Sequence, residues 1–207
     1  MDSDGNRPSA VNLGPTQAKY SDRNPLVRFA NHRFFRALAK LLSQVSVHSV
    51  LDAGCGEGLV LGRLQSPRVV GIDLDRQRII LAKSSQPDSA LAVANVQRLP
   101  FARASFDLVI MLEVFEHVGN PETALMEVAR VSRKYLLASV PNEPWWRIGN
   151  IIRFKYLRDL GNTPEHINHW SVRGFTRFLS QSFTVIELKR PFLWTFALAM
   201  KIQERDF

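Results

Sequence analysis

Apolar residues recur along this chain in two rhythms, short continuous runs and segments of near-helical spacing, and the two alternate. The runs predict strands at Val47 to Ala53, Val69 to Asp73, Ala90 to Ala94, Phe106 to Leu112 and Tyr135 to Val140. Between them, helices are expected from the glycine turn at 54 to about Gln65, over Arg76 to Ser84 and over Pro121 to Arg133. Ahead of the first strand, Asn24 reads as a helix cap and Pro25 as a first helical residue. Leu26, Phe29, Phe34, Leu38, Leu41 and Leu42 follow at helical spacing. Strands alternating with helices argue a parallel sheet covered by helices, because joining parallel strands takes a crossover long enough to hold one. After Pro141 the rhythm changes. A Trp-rich basic segment runs to Leu160, a helix capped by Ser171 is expected over Ser171 to Gln181, and Phe183 to Lys189 and Trp194 to Met200 read as a hairpin.

A chain of 207 residues can bury a full core without a disulfide or a metal. One domain is expected over 24–207, preceded by a flexible leader at 1–23 rich in Asn, Ser, Pro and Gly, with an insertion at about 142–170 after the fifth strand. The single cysteine, Cys55, allows no internal disulfide, and no Cys and His residues stand at metal-ligand spacing. The first twenty residues lack an apolar signal segment and no run reaches the roughly 18 apolar residues of a membrane span, so the cytoplasm is the expected location. The net charge of +8 fits a solubilising surface, an anionic substrate or membrane, or nucleic acid; no run of five basic residues singles out the last. In 145–158, Trp145, Trp146, Ile148, Ile151, Ile152 and Leu157 interleave with Arg147, Arg153, Lys155 and Arg158. Such a segment suits a helix packed on the core, a lid over an apolar acceptor, or peripheral contact with an anionic membrane.

The chemistry concentrates in Val50 to Gly58, Val-Leu-Asp-Ala-Gly-Cys-Gly-Glu-Gly, where an apolar strand runs into three glycines in five residues. Glycines at 54, 56 and 58 strip Cβ atoms from the turn, so a ligand can lie against the backbone. The next strand ends in Asp73, 21 positions after Asp52, where a carboxylate can accept from both hydroxyls of a ribose. A cofactor containing adenosine is therefore expected.

Four segments carry a family resemblance: Val50 to Gly58, Gly71 to Asp75, Asn95 to Phe101, and Phe106 to Val118. In their order and spacing the chain resembles the class I S-adenosylmethionine-dependent methyltransferases, in particular the small-molecule branch with a single Rossmann-like domain. The resemblance implies an α/β three-layer sandwich whose seven-stranded, mostly parallel sheet ends with a C-terminal antiparallel strand. It also implies S-adenosyl-L-methionine as cofactor and S-adenosyl-L-homocysteine as product. The methyl group would pass by in-line displacement, without a metal, to a small-molecule or lipid-like acceptor, and the protein would act as a monomer or homodimer.

The cofactor-binding set implied is Asp52, Gly54, Cys55, Gly56, Gly58, Asp73, Leu74, Asn95, Val96, Leu112 and Glu113. Asp52 would either hold the glycine turn or accept from the methionine amino group through water, and Cys55 fits as a small residue packed under the loop. Asn95 departs from the family pattern, which has an acid there to accept from the adenine amine; the Asn side-chain oxygen can do the same without charge. Candidate bases are His117, just beyond the fourth strand, then His166, with His169 nearby; His117 alternatively shapes the site. A nicotinamide dehydrogenase is disfavoured because its motif places the third glycine one residue later. Base-amine methylation of nucleic acid is disfavoured because Leu-Glu-Val-Phe follows the fourth strand where Asn/Asp-Pro-Pro-aromatic would stand. Other RNA or protein methylation, and a non-catalytic module that binds the cofactor, remain open.

Overall fold

The structure is a computed structural model that describes residues 24–142 and 167–202. The expected leader, the Trp-rich basic segment and His166 lie outside the described residues. The chain opens with helix α1, Pro25–Leu42, whose Asn24 side chain accepts from the Leu26 N–H at 2.9 Å. Its Val27, Ala30, Phe34, Ala37, Leu38 and Leu41 are buried, giving the helix one apolar face to lay on a sheet.

That sheet has seven strands in the order β3-β2-β1-β4-β5-β7-β6. The strands are β1 (Ser49–Ala53), β2 (Arg68–Asp73), β3 (Ala90–Val93), β4 (Phe106–Leu112), β5 (Ser132–Pro141), β6 (Phe183–Lys189) and β7 (Trp194–Lys201). Strands β1 to β5 pair in parallel, and β7 runs antiparallel between β5 and β6. The remaining helices are α2 (Arg76–Ser85), α3 (Pro121–Val131) and α4 (Val172–Leu179). Caps set their starts: Asp75 accepts from Gln77 N–H, Asn120 from Thr123 N–H, and Ser171, the cap expected from the sequence, from Gly174 N–H.

Two apolar layers sandwich the sheet. On one side α1 packs on Leu108, Ile110, Leu137, Trp194, Phe196 and Leu198. On the other, α3 and α4 bring Leu125, Val128, Phe175 and Phe178 onto Leu51, Val109, Met111 and Leu136. Central strand β4 is buried from Phe106 to Met111, which is why it reads as a continuous apolar run. Among the described residues no helix is long and apolar enough to cross a membrane.

One expected element is absent. The helix predicted from the glycine turn to Gln65 is reduced to a single 3₁₀ turn, Leu61–Arg63. Gly58 stands at φ 80°, Gly62 lies in the same stretch, and Pro67 precedes β2. Each interior glycine costs a helix roughly 1 kcal/mol, and too few residues remain between the turn and the proline to recover it. Strand β5 differs in the other direction, starting at Ser132 directly after α3. Ser132, Arg133 and Lys134 carry no apolar signal, and Ser132 joins the sheet by pairing with Phe106 across a register irregularity.

Candidate cofactor site

The strand order reverses between β1 and β4, so the loops leaving their C-terminal ends diverge and open a crevice where ligands of open α/β sheets bind. The glycine turn after β1 forms one wall. Its Gly54 and Cys55 N–H groups both donate to the Ile72 carbonyl, at 2.7 and 2.8 Å, and Gly58 N–H donates to the Cys55 carbonyl. Gly54 sits at φ 90°, and a Cβ there would lie 2.4 Å from Val114 Cγ2 in the loop after β4, so the two loops meet only because this residue has no side chain. Gly56, at φ 54°, faces nothing within 4 Å of where its Cβ would be. The backbone is bare toward the crevice at that point.

Asp73, at the end of β2, is buried at 8% exposure. Its Oδ2 accepts from Gly56 N–H and its Oδ1 from Asp75 N–H, both at 2.9 Å, so the carboxylate is aimed by backbone on either side. A carboxylate oxygen has room for a second donor, and both therefore remain able to accept from a diol.

Asp52 is the opposite case. It is 2% exposed, and its Oδ2 accepts no hydrogen bond. Burial, helped by the charge of Asp73, raises its pKa to about 7. The amides at 54, 55, 56 and 58 bond to Ile72, Asp73 and Cys55 rather than to Asp52. Of the two roles expected for Asp52, holding the turn is thus performed by others. A buried acceptor without a donor is costly, and an ammonium group with its hydration is the chemistry that relieves it. Burial, and then the Asp52 and Asp73 carboxylates, push the Cys55 thiol up and keep it protonated. That environment opposes nucleophilic chemistry and matches the packing role expected of Cys55.

Along the rim, Leu74 is 68% exposed beside Asp73. Ala94 N–H donates to the Asp73 carbonyl, fastening the loop after β3 to this edge. In that loop the Asn95 side-chain oxygen accepts from Gln97 N–H at 2.8 Å, closing a local turn, and Val96 packs against the core. Leu112 ends β4, and Glu113 follows in the left-handed region at φ 54°. Glu113 N–H donates to the Ser139 carbonyl, and its Oε1 accepts from Trp194 Nε1–H at 2.8 Å. The Glu113 carboxylate is therefore engaged at the start of β7. No sequence signal marked Trp194 for this rim, since 81 positions separate the two residues.

His117 lies exposed at the end of a 3₁₀ turn, Phe115–His117. Ile167 and Asn168 N–H groups both donate to the Glu116 carbonyl, and Asn168 Nδ2 donates to the Phe115 and Val118 carbonyls. Residues 167–168 are thereby stitched to the His117 loop, bringing exposed His169 to the same side. Asn168 is a structural residue that sequence reading missed. Trp170, buried at its Nε1, stacks obliquely on Phe178 at 4.6 Å and seats this segment on α4. Among the described residues no group of three His, Cys, Asp or Glu could hold a metal ion.

A seven-stranded sheet with one antiparallel strand inserted beside β5, and a glycine turn at the switch point, defines a Rossmann-like methyltransferase fold. Residues 51–135 match the family model described as a methyltransferase domain. An O-methyltransferase of Aspergillus nomiae is 32% identical over 121 residues, covering 54% of this chain and 54% of that protein. A Mycobacterium tuberculosis protein named "probable S-adenosylmethionine-dependent methyltransferase" is 28% identical over 183 residues, covering 84% of this chain and 64% of its own. The chain thus spans between about half and two thirds of the length of these curated relatives. Among solved structures, the magnesium protoporphyrin IX methyltransferase of Synechocystis with bound S-adenosylhomocysteine superposes with a TM-score of 0.67 at 15% identity, covering 90% of this chain and 93% of that one. The chain is thus similar to S-adenosylmethionine-dependent methyltransferases, in the family model over residues 51–135 and in its fold.

Proposed function

We propose that the protein binds S-adenosyl-L-methionine across the β1/β4 crevice, transfers its methyl group to a small-molecule or lipid-like acceptor, and releases S-adenosyl-L-homocysteine. The observation that carries this reading is the pair of buried carboxylates, Asp73 aimed by two backbone amides and Asp52 with an acceptor oxygen left without a donor. In this reading Asp73 accepts from both ribose hydroxyls, and Asp52 receives the methionine ammonium through water. Gly54 and Gly56 let the sulfonium arm lie on the turn, with the Leu112 carbonyl and the Glu113 backbone closing that end. Asn95 and Val96 face the adenine edge, and Leu74 flanks the ribose. The cofactor supplies the methyl group and its own neutral leaving group, so the protein's part is alignment and, for a hydroxyl acceptor, proton removal. His117 is the candidate base, on a loop that Asn168 holds in place. An oxygen acceptor accords with the Aspergillus relative named as an O-methyltransferase, and a small-molecule acceptor with the solved structure named as a magnesium protoporphyrin IX methyltransferase.

Calorimetric titration with S-adenosylmethionine, S-adenosylhomocysteine and NAD tests the cofactor. Both adenosyl ligands should bind and NAD should not. Asp73→Ala should weaken their binding by about 1–3 kcal/mol through two lost hydrogen bonds. A folded Asp73→Ala protein with undiminished affinity would overturn the pose, and methyl transfer detected with any acceptor would exclude a purely binding module.

A further inference from the structure

The side of α1 turned away from the sheet exposes Arg28, His32, Arg33, Arg36 and Lys40, and the helix contains no Asp or Glu. At its N-terminal end three large apolar side chains stand in solvent: Leu26 at 70%, Phe29 at 55%, and Phe192, from the turn between β6 and β7, at 56%. Leu26 and Phe29 are three residues apart on one helix, hence neighbours on its surface. The Phe29 and Phe192 rings meet edge to face with centroids 6.5 Å apart. Two elements more than 160 positions apart in sequence thus build one exposed apolar patch.

The turn that carries Phe192 holds it at φ 57°, a region that bulky side chains rarely occupy and that glycine or asparagine fills without strain. Its neighbours Pro191 and Trp194 are buried, whereas the Phe192 ring itself faces outward. Core packing therefore does not account for an aromatic at this position. Cations stand near the patch. The Arg33 guanidinium lies 5.9 Å from the centre of the Phe29 ring, and exposed Arg28 and Arg190 adjoin Phe29 and the Phe192 turn in sequence. The carboxylate on the neighbouring strand, Glu187, is paired with Lys189 and offers this face no free negative charge.

We propose that this patch docks on an anionic membrane surface, with Leu26, Phe29 and Phe192 entering the acyl boundary while Arg28, Arg33 and Arg190 meet lipid headgroups. Apolar side chains beside cations on a helix without acids have the chemistry of an interfacial segment. A phosphate backbone would engage the arginines but would gain nothing from an aliphatic side chain such as Leu26. The patch also adjoins the cofactor crevice, because Trp194, two residues from Phe192, donates to Glu113 at its rim. A lipid-borne acceptor would arrive beside the site. The docking surface itself stands on exposure and charge, independently of the methyl-transfer reading.

Co-sedimentation of the full chain with vesicles of phosphatidylcholine alone, or with about 30% phosphatidylglycerol, tests it. Binding should require the anionic lipid and weaken as salt rises from about 0.05 to 0.5 M. Phe29→Ser and Phe192→Asn should each reduce it by about fivefold or more, as expected from removing one buried aromatic from the interface. Paired Arg28→Glu and Arg33→Glu should abolish it. Phe192→Asn should melt no lower than the parent, because asparagine tolerates the left-handed region, so its result is not confounded by unfolding. The proposal fails if the parent ignores anionic vesicles, or if both aromatic variants bind them as the parent does. It fails equally if the parent prefers duplex RNA to vesicles and the same variants lose that preference. Calorimetric titration with S-adenosylhomocysteine runs alongside: if the parent binds it and the variants lose that affinity together with vesicle binding, the residues act through the fold and the proposal also fails.

Discussion

Two buried carboxylates, Asp107 at 7% exposure and Asp52 at 2%, stand at opposite ends of the neighbouring strands β4 and β1 and are satisfied in opposite ways. Asp107 lies at the start of β4, away from the crevice. Its Oδ2 accepts from the His48 and Ser49 amides at 3.0 and 3.1 Å and from the Ser49 hydroxyl at 3.1 Å, while Oδ1 pairs with Arg133. Burial alone would raise its pKa, but the His48 amide, Arg133 and Ser49 outweigh burial and hold it below the usual carboxylate value. Asp52, closing β1 on the crevice side, has an oxygen with no donor and a pKa raised to about 7. The first end is complete within the protein. The second leaves an acceptor open, the one that the proposed function gives to the cofactor, and unsatisfied groups are expected where a site works.

Removing either acid breaks this contrast in a measurable direction. Asp107→Ala leaves three donors and the Arg133 guanidinium without their acceptor and should cost about 3–5 kcal/mol in urea unfolding at neutral pH. Because the folded pKa of Asp107 lies below its unfolded value, its contribution is present above about pH 4 and is lost as pH falls through the folded value. The variant should therefore show a flatter acid limb. An unchanged acid limb would mean that Arg133, which is half exposed, and the loop amides do not report on Asp107.

Asp52→Asn should act with the opposite sign. With a folded pKa near 7 against 3.8 in the unfolded chain, the native protein holds the extra proton between those values, so stability falls as pH rises through them. Replacing the carboxyl by an amide should make the ligand-free protein roughly 2–4 kcal/mol more stable at pH 8, discounted from the full linkage for relaxation around the group. The same change should weaken S-adenosylhomocysteine binding by about tenfold, the loss of one charge-assisted hydrogen bond. Unfolding curves from pH 5 to 8 with calorimetry at pH 8 check both. Loss of stability at pH 8 together with lost binding would make Asp52 a second structural acid like Asp107.

A smaller effect sharpens the crevice side. Gly56→Ala meets no atom, so only its φ of 54° opposes it, at about 1 kcal/mol of stability. Its Cβ would project into the space proposed for the cofactor, so affinity should fall more than stability does. Comparable losses in a melt and a titration would show that Gly56 serves the turn alone.

Much of this architecture was legible in advance for a physical reason. Strand and helix periods, helix caps at Asn24 and Ser171, and the glycine turn all depend on near neighbours in the chain, and all seven strands stand where the apolar runs lie. The missing helix after Gly58 shows the limit. There the periodic signal of Leu59, Val60, Leu61 and Leu64 was real, but it came from packing of the crossover against α1 and β2, with Gly58, Gly62 and Pro67 working against the helix. The site divides the same way. The positions of Asp52, Gly54, Gly56 and Asp73 were readable, while the stitching of Asn168 to the His117 loop and of Trp194 to Glu113 was not, because nothing local in either partner announces the other.

By itself, then, the amino-acid order determined which elements form and which residue types end the strands at the crevice, since steric preference and hydrophobic period act over a few residues. Only the tertiary structure decided what those residues are. It made one aspartate a completed structural anchor and left another with a buried acceptor and no donor. It also brought Phe29 against Phe192 in solvent. Desolvation, charge proximity and long-range contact are properties of the packed sheet, and no local pattern in the chain encodes them.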